Sequence, residues 1–170
     1  SIDPLTGLLN RQALQRAVER ELSRIRRYPS RASLAFLDID NFKQINDTHG
    51  HARGDEVLRH LARVFRDETR AVDIVGRYGG EEFVMLCPQT PQREAVALLK
   101  RMQEHFAGPL PDLEQEKLSF SAGVVAVPDD GSSFDDLCAR ADAAMYWVKG
   151  HGKGDVIVWR EDMDFRPNGG

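Results

Sequence analysis

The sequence predicts an α/β (α+β) domain in which short strands alternate with amphipathic helices. Three observations predict it. Apolar residues recur every three or four positions in several segments, the spacing of one buried helix face. Between those segments lie apolar runs of only strand length. A Gly-Gly pair joins two adjacent strand-like runs, the usual signal of a β-hairpin. The resulting order, β-α-α-β-β-α-β with one added helix and strand, resembles the split βαβ arrangement of ferredoxin-like folds.

Each element has its own justification. Leu14, Val18, Leu22 and Ile25 stripe an amphipathic helix over Arg11–Arg27, stopped by Pro29. Ala32–Ile39 is an apolar run of strand length, expected to be buried on both faces. A short helix over residues 41–47 ends at the Gly50 turn. Val57, Leu58, Leu61, Ala62 and Phe65 mark a second long helix over residues 54–68. The hairpin pairs residues 73–78 with residues 81–87 across a two-residue Gly79-Gly80 turn. Ala95, Leu98, Leu99, Met102 and Phe106 stripe a further helix after Pro91, and Pro109 and Pro111 then break the chain. Residues 118–127 read as a strand, 134–148 as a helix and 155–159 as a closing strand. Residues 161–170 form a polar tail expected to fray, so the domain is expected to span residues 1–160.

The length of 170 residues fits one domain with a real core. Charged residues make up 29% of the chain and hydrophobic ones 41%, the balance of a soluble globular protein. A net charge of −4 argues against broad nucleic-acid or anionic-membrane binding. No apolar run reaches the length of a membrane span, so no direct membrane contact is expected of this domain. Cys87 and Cys138 fall in a strand and a helix without zinc-ligand spacing and read as reduced core residues, which makes the expected compartment cytoplasmic.

Chemistry concentrates at Gly79-Gly80-Glu81-Glu82-Phe83. Without side chains at the two glycines, backbone N–H groups can approach phosphate oxygens. Glu81 and Glu82 are hard oxygen ligands of the type magnesium takes when it carries a nucleoside triphosphate. The bland alternative is a plain polar hairpin tip. Further stretches weigh against it: Asp3 to Arg11 (DPLTGLLNR), Phe36 to Lys43 (FLDIDNFK), Asn46 to His51 (NDTHGH) with Gly54-Asp55, and Tyr146 to Lys153 (YWVKGHGK). Together they resemble, in order and spacing, the motifs of the GGDEF family, the diguanylate cyclases. The resemblance runs from Asp3 to about Val158. It implies a nucleotide-cyclase-like, mostly antiparallel five-stranded sheet surrounded by helices. It also implies a bacterial signalling domain with an N-terminal sensory or regulatory region expected ahead of Ser1, either soluble or membrane-anchored.

The same resemblance assigns roles. Asp38, the Ile39 carbonyl and Glu81 would hold two magnesium ions (manganese being the alternative), with Glu82 in support. Asp38 ends an apolar strand, a costly place for a carboxylate unless it meets a cation or solvent; Asp40 suits the capping of the next helix better. Glu81 and Lys43 would serve catalysis, Glu81 by helping to deprotonate a hydroxyl and Lys43 by contacting phosphate. Asn46 and Asp55 would hold guanine, since an Asp can accept from the guanine N1–H that adenine lacks. His51, Gly79, Gly80 and Lys149 would contact substrate. Lys153 stands where the family usually has Arg, which keeps charge but loses the bidentate fork. Arg70 and Asp73 match the family's RxxD product-inhibition site, with Arg101 as a secondary contact; a plain surface ion pair is the alternative. The expected activity is condensation of two GTP into cyclic di-GMP and two pyrophosphates by a homodimer, with the product as inhibitor. The rival reading is a catalytically silent module that binds GTP or cyclic di-GMP; a cyclase with an adenine-containing product is disfavoured by Asp55.

Overall fold

The structure, a computed structural model, describes residues 1–163. The tail expectation for residues 164–170 therefore lies outside the described residues. In chain order the elements are α1 (Arg11–Arg27), β1 (Ala32–Ile39), α2 (Phe42–His49), α3 (His51–Glu68), β2 (Ile74–Arg77), β3 (Glu82–Pro88), α4 (Gln92–Phe106), β4 (Phe120–Val127), α5 (Phe134–Lys149) and β5 (Val156–Val158). The strands form one sheet in the order β2-β3-β1-β4-β5, antiparallel except for the parallel β4–β5 pair. The mostly antiparallel five-stranded sheet expected from sequence is what forms.

Alternation along the strands explains the layering. On β1, Leu37 and Ile39 face one way and join Phe83, Met85, Phe120 and Val124 beneath α2, α3 and α4. Leu34 and Phe36 face the other way and join Val84, Leu86 and Val125 beneath α1 and α5. The sheet is thus apolar on both sides, and β1 at its centre is buried apart from Asp38. Asn10 caps α1 by accepting from the Ala13 N–H at 2.9 Å, and Ser133 caps α5 by accepting from Asp136 N–H at 3.1 Å.

One glycine fixes how α5 lies on the sheet. A Cβ at Gly123 of β4 would collide with the Ala141 carbonyl and come within 2.7 Å of Ala144 Cβ. The missing side chain lets the helix backbone sit directly on the strand, and this contact aims the C-terminal end of α5 at the end of β1.

Four sequence expectations are corrected. The helix expected over residues 41–47 runs to His49, and α3 starts at His51 rather than Gly54. Gly50, at φ 91°, serves as C-cap of α2 and N-cap of α3, a backbone conformation that favours glycine. Gly54 lies inside α3 for a packing reason: a Cβ there would collide with Asn46 Oδ1 of α2. The hairpin does not close in a two-residue turn. Tyr78 to Glu81 separate the strands, the Tyr78 N–H donates to Glu82 O at 2.8 Å, and neither Gly79 nor Gly80 takes positive φ. Asp40 does not cap α2; Asn41 occupies that position, at φ 58°, and makes no side-chain cap bond.

Candidate active site

The site forms where the C-terminal end of β1 meets the hairpin tip and the end of α5. Asp38 lies directly opposite Glu82 in the β1–β3 ladder, and the Ile39 N–H donates to the Glu81 carbonyl at 3.2 Å. Backbone pairing alone therefore delivers the strand-end carboxylate to the Gly-Gly-Glu-Glu tip. Burial pushes the Asp38 carboxyl up to about 7; Lys149 opposes that rise, and the negative charges of Glu81 and Glu82 add to it. Glu82 is raised too, first by burial and then by Asp142 and Glu81. Among the described residues no three acidic, His or Cys side chains converge as a ready-made metal cluster.

A cation already occupies this acidic corner. The Lys149 ammonium lies 3.4 Å from Asp38 Oδ1, 3.1 Å from the Ile39 carbonyl and 2.9 Å from Asp40 Oδ1. The donor set is all oxygen, two of its members are the expected magnesium ligands, and it holds a positive charge. These residues fit a hard divalent cation. Lys149, expected to contact phosphate, lies against two of the expected metal ligands.

Asp40 is the residue that sequence reasoning missed. It is 3% exposed and accepts from Ser119 Oγ at 2.6 Å, Ser121 Oγ at 2.7 Å, Lys149 Nζ at 2.9 Å and the Gly154 N–H at 3.0 Å. The available signal was Ser119 and Ser121 flanking Phe120, polar residues at the start of an otherwise apolar strand.

The expected base-binding residues fall on α2 and α3. Asn46 Oδ1 is buried and has no hydrogen-bond partner. An orphaned acceptor of this kind costs on the order of 1–3 kcal/mol until a donor arrives. Asp55 sits half-buried within the first two turns of α3, and His51 is exposed at its start. Lys43 is exposed and paired with Asp47 at 2.9 Å, so it must let go to reach a phosphate. Lys153, at φ 61°, donates to Asn41 Oδ1 at 2.7 Å beside the start of α2. A Cβ at Gly79 would collide only with Glu82 Oε1, the movable end of that side chain, and the space around Gly80 is open. Gly54→Ala should push Asn46 out of place. On the expected base-binding role of Asn46, the result is at least tenfold weaker nucleotide binding by calorimetry with an unchanged circular dichroism spectrum.

Arg70, Asp73 and Arg101 gather around a separate cavity of about 190 Å³, lined also by Glu68, Thr90 and Glu94. Arg70 and Asp73 do form an ion pair, with the Arg70 side chain about half exposed and Asp73 beneath it. The Asp73 side chain is 1% exposed and accepts from the Arg70 N–H at 2.7 Å and Arg70 Nη2 at 3.0 Å. Arg70 also donates to the Pro88 carbonyl and Thr90 Oγ1. Arg101 is exposed, 3.8 Å from Glu68.

The central carboxylate-ended strand, the glycine-acid hairpin beside it and helices on both faces define a nucleotide-cyclase-like domain. A family profile described as "Diguanylate cyclase, GGDEF domain" matches residues 1–155. Diguanylate cyclase DgcP of Pseudomonas aeruginosa is 41% identical over 92% of this chain, which spans 23% of that protein. Response regulator PleD of Caulobacter vibrioides is 36% identical over 91% of this chain, which spans 35% of it. Among solved structures, the GGDEF domain of TpbB (YfiN) from Pseudomonas aeruginosa superposes with a TM-score of 0.88 at 31% identity, covering 94% of this chain and 95% of that one. The GGDEF domain of DgcB from Caulobacter crescentus, solved in complex with c-di-GMP, gives 0.84 at 30% identity, covering 92% and 94%. The chain belongs to the GGDEF-domain family. It spans about a quarter to a third of the length of those two curated relatives.

Proposed function

We propose that this domain is a diguanylate cyclase, joining two GTP into cyclic di-GMP with release of two pyrophosphates. The observation that supports it best is the oxygen-lined corner of Asp38 and Ile39, backbone-paired to Glu81 and already holding a cation. Two magnesium ions, or manganese, would when bound neutralise triphosphate charge and acidify the attacking hydroxyl. Asp38, the Ile39 carbonyl and Glu81 would hold them, with Glu82 behind.

The protein's own groups do the rest. Asn46 and Asp55 hold guanine, Asp55 accepting from N1–H and the exocyclic amine while the Asn46 amide donates to O6 or N3. Lys43, Lys149 and Lys153 meet the phosphates, and bare backbone at Gly79 and Gly80 leaves the triphosphate room. Glu81 takes the proton from the 3′-hydroxyl of one GTP as its oxygen bonds to the α-phosphorus of the other. The bond from that phosphorus to the leaving pyrophosphate breaks. The same exchange in reverse sense closes the ring, so two domains must face each other, each with one GTP. Incubation with GTP and magnesium followed by chromatography tests the reading. Cyclic di-GMP and pyrophosphate are expected; GTP left unchanged would favour the silent module.

The Arg70 cavity is the proposed product-inhibition site. The Arg70 guanidinium, now donating to Asp73, Pro88 and Thr90, would form a fork on guanine O6 and N7. Because Asp73 is buried against Arg70, product binding requires that pair to open. Arg70→Ala should raise the inhibitory concentration of cyclic di-GMP at least tenfold while leaving the initial rate within twofold, as read by titrating product into the assay. Equal inhibition of both proteins would remove the assignment.

A further inference from the structure

The shortest contact made by the Lys149 ammonium is to Asp40, not to Asp38. Both Asp40 oxygens are committed: Oδ1 to Ser121 and Lys149, Oδ2 to Ser119 and Gly154. Those partners come from β4, the residue leading into it, the end of α5 and the loop before β5. A buried carboxylate restrained from so many directions cannot follow a moving lysine, so it serves as a fixed post. Lys149 itself is about one-fifth exposed, so it is not sealed from solvent.

We propose that Asp40 is a positioning residue that tethers the Lys149 ammonium, so that it substitutes for the divalent cation at Asp38 and Ile39 and is released to nucleotide phosphate when that cation binds. The proposal rests on the cyclase reading and deepens it. In the metal-free state the ammonium satisfies the Asp38 carboxylate and the Ile39 carbonyl, which would otherwise be charged and polar groups in a half-buried corner. When Asp38 and Ile39 turn to a divalent cation, the ammonium loses those two contacts but keeps Asp40. It pivots about that one bond toward solvent, the side from which a triphosphate arrives. Tether and surrogate are thus two uses of the same short contact.

The test is a double-mutant cycle on the whole chain. Wild type, Asp40→Asn, Lys149→Gln and the double variant are titrated with Mn²⁺ alone, free Mn²⁺ being followed by electron paramagnetic resonance. They are then titrated calorimetrically with a non-hydrolysable GTP analogue. Lys149→Gln removes the competitor and should tighten Mn²⁺ binding at least threefold while weakening the analogue about tenfold. Asp40→Asn should weaken the analogue comparably in the wild-type background and by less than twofold when Lys149 is already Gln. Unchanged or weaker Mn²⁺ binding by Lys149→Gln overturns the surrogate role. Equal losses from Asp40→Asn in both backgrounds overturn the tether, leaving a residue that only holds the fold. If Asp40→Asn does not fold, Ser119→Ala with Ser121→Ala loosens the same carboxylate and replaces it in the cycle under the same criteria. Failure of the cyclase reading shows elsewhere, as absence of cyclic di-GMP from the wild-type protein.

Discussion

Asp38→Asn and Glu81→Gln should each cut cyclic di-GMP synthesis by at least about 100-fold, the range seen when one preorganised charge-stabilising group is lost. Neither side chain belongs to the apolar layers, so both variants should fold. For Asp38 the stability effect has a definite sign. Its carboxyl rises from an ordinary 3.8 to about 7 on folding, because burial disfavours the charged form. A group raised in this way makes folding less favourable as pH climbs from the unfolded value through about 7, since only the unfolded chain ionises freely there. Asp38→Asn carries no such penalty. In chelator at pH 8 it should therefore melt at or above the wild-type temperature while making almost no product. Wild-type-like synthesis, or a variant that melts well below wild type at pH 8, would contradict this account of Asp38. An active site that costs the fold stability and whose removal stabilises is a common trade.

The second large effect is structural. Gly123→Val should be among the most destabilising single changes in the chain. The new side chain would meet the Ala141 carbonyl and Met145 N of α5, both backbone, so no rotamer relieves the clash. Overpacking of this kind costs about 1–3 kcal/mol and more where backbone must move. The expected loss in chemical denaturation is at least about 3 kcal/mol, with a lower midpoint and unchanged slope. The variant should also lose activity out of proportion to its unfolded fraction, because lifting α5 moves Lys149 away from Asp38 and Asp40. Wild-type stability would mean that α5 does not rest on β4 as described.

Much of this was legible from residues alone, and the failures share a cause. The stripe Leu14, Val18, Leu22, Ile25 and the apolar run of β1 report burial directly, and both elements appear where expected. Asp38 and Glu81 were legible as partners only through the family resemblance, which sets both at one metal site; the strand pairing that joins them was not readable locally. Gly54 misled because a glycine between polar residues usually begins or ends a helix; its reason lies in α2, which packs too close for a Cβ. Gly79 and Gly80 misled because a Gly-Gly pair usually marks a two-residue turn, whereas Tyr78 to Glu81 separate the strands here. Asp40 looked like a cap because its partners are about eighty or more residues away along the chain. Local sequence reports burial and turns well; it does not report contacts made across the sheet.

The hairpin tip has another attachment, through Arg77 at the end of β2. Its Nη1 meets both oxygens of Asp3 at 3.2 Å, while Nε and Nη2 hold the Gly80 carbonyl at 3.1 and 2.7 Å. A guanidinium is one rigid plane, so its two edges cannot shift independently. Asp3 is in turn fixed by the Thr6 N–H and hydroxyl, and Leu9 bridges to Gly76 beside Arg77. The first ten residues and the Gly-Gly-Glu-Glu tip are therefore coupled like the two ends of a rocker arm. Asp3 and the Gly80 carbonyl, one residue from Glu81, are thus held by opposite edges of one side chain.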